Sequence, residues 1–291
     1  MKNNQSNYYY WDISIQTILI LTIILVPTFF TTAIYNSFTT EKMMIFRCGT
    51  LLMAALTIIK LVYYRSDKKT PWQFWLVPLL GLVGIISTFT GINPEVSLWG
   101  IHLRMDGLVN MLFLVVFFGE VYWQIDTKVK FNQVLWAVAL GSIIPAGYAL
   151  IQKMGGDPID WKGVVVEERV FGTTGNPAYL GAYLLFTIPI SFYLGAIGNW
   201  WQKAGWWAWT VLQVVIIIFT WTRASYLAAG AEVLLLTLTY CWWQNKQRAA
   251  QIIAFCAVAV IQLAVKAIMA NKAVFFIIDF VYANLRRMCY Q

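Results

Sequence analysis

Long apolar runs recur along almost the whole chain, and they constrain the fold more than any other feature. A helix that crosses a bilayer needs about 20 mostly apolar residues. Nine stretches approach that requirement: 13–35, 43–64, 72–90, 107–123, 133–151, 177–198, 205–220, 224–243 and 251–270. In lipid only helices and closed barrels satisfy their own backbone groups, and barrel strands would be short and alternating in hydrophobicity. These runs are continuous, so the expected fold class is all-α: a polytopic transmembrane helical bundle of about nine spans plus a short tail, with residues 1–291 forming a single integral membrane domain. The first run is too long and unbroken for a cleaved signal peptide, and no small-residue cleavage site stands out. It is expected to stay as an anchor.

The chain is 60% hydrophobic and 12% charged, against roughly 25% charged in soluble domains. Its 15 Trp and 15 Tyr gather near run ends, as in Tyr8, Tyr9, Tyr10 and Trp11, in Trp72 and Trp75, and in the pairs Trp200/Trp201, Trp206/Trp207 and Trp242/Trp243. These are interfacial belts; sugar-stacking platforms are the alternative. Lysines and arginines sort to alternate loops. Lys2, Arg65, Lys68, Lys69, Lys128, Lys130, Lys203, Lys246 and Arg248 fall on one side, while the opposite loops mix both signs. The positive-inside rule places the first set, and the N-terminus, in the cytoplasm. The net charge of +8 then reflects topology; no contiguous basic face points to nucleic acid. Cys48, Cys241, Cys256 and Cys289 are scattered singles with no metal-ligand or disulfide spacing. Neither a metal nor a cofactor is expected.

Three outward loops hold the remaining polar features. They read "GINPEVSLWGIHLRMDG" (91–107), "GGDPIDWKGVVVEERVFGTTGNP" (155–177) and "TWTRAS" (220–225). Each brings one arginine to the outer interface: Arg104, Arg169 and Arg223. One account is snorkelling to lipid headgroups. The other is a bound anion, because arginine offers a planar fork of donors to phosphate oxygens. The stretch "RVFGTTGNPAYLGAYL" (169–184) favours the second. Asn176 suits a helix N-cap and Pro177 the first helical position, while Gly172 and Gly175 would let backbone approach an anion at that helix N-terminus.

Together "RVFGTTGNPAYLGAYL" and the later "TRASYLA" (222–228) resemble the core signature of the O-antigen ligase and polymerase superfamily. "NPEVSLWGIHLRMDGL" (93–108) resembles a loop of one branch of it. The resemblance covers about 93–228. It implies a GT-C-type glycosyltransferase fold in the bacterial cytoplasmic (inner) membrane. It further implies transfer or polymerisation of an oligosaccharide from an undecaprenyl diphosphate carrier, on the outer face, to a growing glycan, a lipid A-core or a protein acceptor. Under that resemblance Arg169 and Arg223 match the family arginines that hold the lipid-linked diphosphate, with Gly172, Gly175 and Asn176 in the adjoining turn and Arg104 as an accessory.

Two departures are visible. The second arginine commonly follows Ser in the family, and here it follows Thr222. Family members also continue into a large outward loop with a histidine that acts on the acceptor, whereas the only histidine here is His102, in an earlier loop. No catalytic residue is therefore assigned. The catalytic-loop portion is expected to be absent after 271, as in a truncated, split or degenerate copy. The apolar core of the tail, 273–283, is too short to span. Glu232 follows Arg223 by roughly 13 Å of helix at 1.5 Å per residue, deep in the bilayer, as a second accessory candidate or a structural carboxyl. Lys60 is expected to snorkel. A permease or anion carrier is the alternative class, though no matching pair of Gly/Pro-broken helices supports it. A non-catalytic subunit binding a lipid-linked glycan is another.

Overall fold

The computed structural model describes residues 2–32, 38–64, 70–101, 104–159, 161 and 168–243. The expected ninth span, the tail, Cys256, Cys289 and His102 lie outside them. The described residues form ten α-helices, in order: α1 (Lys2–Thr28), α2 (Thr40–Tyr63), α3 (Leu76–Thr90), α4 (Pro94–Trp99), α5 (Leu108–Gln124), α6 (Lys128–Gly141), α7 (Ile143–Lys153), α8 (Pro177–Ile197), α9 (Trp200–Phe219) and α10 (Arg223–Trp243). No strand occurs among the described residues. Among the described residues, six helical stretches are long and apolar enough to cross a membrane: Tyr8–Thr28, Thr40–Tyr63, Trp72–Thr90, Lys128–Lys153, Pro177–Ile197 and Trp200–Phe219. Leu108–Gln124 is apolar but shorter. The chain forms two compact units, Met1–Ser225 and Tyr226–Gln291.

Boundaries differ from the hydropathy runs for local reasons. The first helix ends at Thr28, after Pro27 inside its last turn, because proline removes a backbone donor and crowds the preceding turn. The fifth run is two helices that break at Ser142. The third opens with a 3-10 turn at Trp72–Trp75 behind Pro71. The loop 91–107 contains the short helix α4, capped by Asn93, whose side chain accepts the Val96 N–H, with Pro94 in its first turn. Arg223 is the first residue of α10 rather than part of the turn before it.

Where lipid surrounds a bundle, burial against water no longer drives helix association, and small residues and polar contacts take over. Both are present. Gly49 faces Thr22 so closely that a Cβ there has no room, and Gly141 lies against the α1 backbone at Ile23 and Ile24. A buried polar knot joins α6, α7 and α9. The Ser142 hydroxyl donates to the Ala139 carbonyl at 2.6 Å and accepts from Gln213 Nε2 at 2.8 Å and Trp209 Nε1 at 3.0 Å. Beside it, Ala146, Ala149, Val170, Leu180, Leu184, Ile216 and Ile217 form the principal core of α7, α8 and α9.

The two ends of this unit are chemically distinct. At one, Asp12 of α1 pairs with Lys60 of α2 (2.8 Å) and Lys130 of α6 (2.7 Å), and Lys130 also meets Asp126 (2.9 Å). Lys60, expected to reach for headgroups, is held by Asp12 and by the ring of Tyr8, 4.5 Å from its centroid. Nearby, Thr57 donates to the buried Glu120 at 2.5 Å. The other end gathers the loops that carry the glycine-rich turn and Arg104.

Candidate anion-binding site

The stretch 169–177 is built from the inside outward. Gln152, at the end of α7, is fully buried. Its Oε1 accepts the backbone N–H groups of Phe171 (3.1 Å) and Gly172 (2.8 Å), and its Nε2 donates to Asp157 at 3.1 Å. Asp157 also accepts from the Tyr148 hydroxyl (2.7 Å), Trp161 Nε1 (2.9 Å) and the Ile159 N–H (3.0 Å). Burial alone would raise the Asp157 carboxyl, but these four donors outweigh it and hold the group below its ordinary 3.8. An ionised acceptor thus orients Gln152, and Gln152 fixes the turn.

The turn needs its glycines. Gly172 has φ +53°, and a Cβ there would strike the Pro145 carbonyl; Gly175 has φ +73°, and its Cβ would strike the Phe38 ring. The left-handed region is open to glycine at little cost. Phe38 is pinned between Phe30 (5.6 Å) and Trp161 (5.0 Å), with Phe171 edge-on at 5.6 Å. Asn176 then caps α8, its Oδ1 accepting the Ala178 N–H at 2.8 Å. The Thr174 hydroxyl lies 2.7 Å from the Phe171 carbonyl, to which it donates.

Arg169 is bonded to the segment that leads into Arg223, across a sequence separation of 51 residues between Arg169 and Thr220. Arg169 Nε donates to the Thr220 carbonyl at 3.2 Å, and the Val170 N–H to that of Phe219 at 3.4 Å. Thr220 opens the turn that precedes α10 and its first residue, Arg223. Thr222 donates its hydroxyl to the same Thr220 carbonyl at 3.2 Å, so the hydroxyl before Arg223 closes this turn. Ser225 fits directly against Gly181 in the second turn of α8, which seats the start of α10 beside the N-terminal part of α8. Both arginines are exposed. With one guanidinium nitrogen of Arg169 used, its outer edge remains available to a ligand.

Arg104 belongs elsewhere. It lines a cavity of about 800 Å³ between α1, α2, α5, α6 and α8, whose wall includes Lys42, Thr174 and Tyr179 but neither Arg169 nor Arg223. Glu232 sits half-buried within α10, in the second compact unit.

Sequence reasoning missed two supports. Lys42, in the first turn of α2, donates to the carbonyls of Thr173 (2.6 Å) and Pro27 (3.2 Å), and Thr173 donates its hydroxyl to Pro27 at 2.6 Å. A lysine at the very start of an apolar run was the available signal. Gln152 was the other, a lone amide closing an apolar run just before two glycines.

The long apolar helices make this chain a multi-pass helical membrane protein. No protein-family model, curated protein or solved structure matches it. The functional reading therefore rests on the site.

Proposed function

We propose that the chain is a membrane glycosyltransferase of the O-antigen ligase type. It binds an undecaprenyl-diphosphate-linked oligosaccharide at the outer face of a bacterial cytoplasmic membrane, for transfer to a glycan, lipid A-core or protein acceptor. The observation that carries this reading is the Arg169 bond to the Thr220 carbonyl. It joins two segments remote in sequence, each with an exposed arginine, next to the capped start of α8. Two forks and a helix N-terminus suit a diphosphate better than a single charge would. In such a transfer the leaving group is the carrier diphosphate, so fixed positive groups would stabilise the charge that grows on it. Holding the carrier also positions its anomeric carbon against an acceptor hydroxyl. Gly172 and Gly175 act here by shaping the turn.

The same reading includes nine spans in a GT-C-type arrangement and a cytoplasmic N-terminus. The Asp12–Lys60–Lys130 end then faces the cytoplasm and the glycine-rich turn faces out. The direct test is ligand preference in nanodiscs. Undecaprenyl diphosphate should bind more tightly than undecaprenol, and liposomes containing the protein should pass no solute. Equal binding of the neutral prenol, or solute flux, would favour a carrier and contradict the proposal.

A further inference from the structure

The cavity that holds Arg104 changes character along its length. Much of its wall is apolar, with Ile23, Leu114, Phe117, Val121, Val134 and Val138, while Lys42, Arg104, Asp106 and Asn110 supply its charged and amide groups and Thr22, Thr39, Thr174, Tyr179 and Tyr183 its hydroxyls. Its volume of about 800 Å³ falls within the roughly 300–1,000 Å³ typical of ligand sites.

The polar groups have capacity to spare. An ammonium carries three donors, and Lys42 uses two, on Pro27 and Thr173. The Arg104 guanidinium has no hydrogen-bond partner among the described residues, and Arg104 is exposed. The Asn110 amide oxygen is buried and likewise without a partner among them. Among the described residues Asp106 is the single carboxylate in the wall; Glu41, next to Lys42, lies outside it. Two cations therefore face one anion at the edge of an apolar shaft. Buried polar atoms are nearly always satisfied in native structures; the Asn110 oxygen can only accept, so a head that fits it beside the spare Lys42 and Arg104 donors carries an O–H as well as anionic oxygens, as a singly protonated phosphate monoester does.

We infer that this cavity binds an anionic amphiphile, with a phosphate-like head held by Arg104 and Lys42 and an apolar chain lying between Phe117 and Val138. The groups involved are distinct from Arg169 and Arg223, so this site stands or falls separately from the diphosphate clamp. Arginine supplies the planar fork and lysine a point charge. The Arg104 backbone is set by a tight turn, in which the N–H groups of Arg104 and Met105 both donate to the Ile101 carbonyl at 2.8 Å. Met105 sits at φ +53°, a conformation uncommon for a side-chain-bearing residue. Arg47 steadies it by donating to the Met105 carbonyl at 3.4 Å.

The test uses the full chain in phosphatidylcholine nanodiscs and a long-chain alkyl phosphate with a photoreactive diazirine in mid-chain. Labelled peptides should contain Phe117 or Val138. Excess dodecyl phosphate should suppress labelling; dodecanol and inorganic phosphate at the same concentration should not. Arg104→Gln, on an exposed turn where folding is not at stake, should weaken probe binding about tenfold or more. Val138→Trp should block the shaft, whereas Arg169→Lys should leave labelling unchanged. Suppression by dodecanol equal to that by dodecyl phosphate would reduce the cavity to an apolar gap. Suppression by inorganic phosphate alone would reduce it to a headgroup-level anion site. Unchanged binding in Arg104→Gln would remove the arginine from it.

Discussion

Gln152 shows how much one side chain can decide. Both ends of its amide are committed, to two backbone N–H groups and to Asp157. Gln152→Leu keeps the bulk but orphans the Phe171 and Gly172 donors, each costing about 1–3 kcal/mol. A clear fall in thermal stability in detergent is expected, with weaker diphosphate binding. Gly172→Ala should also destabilise, because the new Cβ meets the Pro145 backbone, which cannot swing aside. Gly147→Ala is the control: it lies within α7 with nothing within 4 Å of a Cβ, and should be neutral or stabilising by about 0.5–1 kcal/mol. Asp157 adds a pH dependence whose sign is fixed. Its folded carboxyl is depressed below 3.8. Its contribution is therefore complete above that value and is lost as pH falls through the lower folded one. Melting temperatures followed down through that acid range should drop more steeply for wild type than for Asp157→Asn, and parallel curves would remove Asp157 from the network.

Among the elements, the break between α6 and α7 is the informative one. A serine inside an apolar run hardly changes hydropathy, so the fifth run reads as one span. What divides it is tertiary: Ser142 turns to Gln213 and Trp209 of α9. Ser142→Ala should cost about 1–3 kcal/mol, because Trp209 Nε1 loses its acceptor and Gln213 Nε2 keeps only its 3.4 Å bond to the Ser191 hydroxyl. Adding Gln213→Leu should recover part of that loss; fully additive losses in thermal stability would show the knot to be incidental. The start of α8 was more legible, because Asn-Pro carries its own mechanism, and Asn176 caps as its residue type predicts; Asn93 caps α4 with the same Asn-Pro pair, which the sequence reading passed over. The glycine-rich turn was legible as special, but the neighbours that require its glycines were not. That Gly172 avoids Pro145 and Gly175 avoids Phe38 depends on residues distant in sequence. Lys42 and Gln152 were hidden for the same reason: their roles are set by the carbonyls and N–H groups that other helices bring to them.

At the scale of the whole molecule, the first compact unit separates a carboxylate–lysine cluster at one end from the arginine-bearing turns at the other. The reading proposed here sets the first in the cytoplasm. Single cysteines at the exposed positions Glu95 and Lys128 report on it, in a background where the native cysteines are replaced. An impermeant thiol reagent should label Glu95→Cys and spare Lys128→Cys in intact cells; the reverse pattern would invert the protein and move the clamp to the wrong face. The central claim is narrower, that Arg169 and Arg223 hold a diphosphate as paired forks. Arg→Lys keeps the charge at either position and loses the fork. Titration of undecaprenyl diphosphate into folded wild type, Arg169→Lys and Arg223→Lys in nanodiscs tests it most directly. Each substitution should weaken binding roughly ten- to a hundred-fold, the worth of one lost charge-assisted hydrogen bond of about 1.5–3 kcal/mol. Equal affinities for all three proteins would make the arginines interfacial anchors and contradict the account.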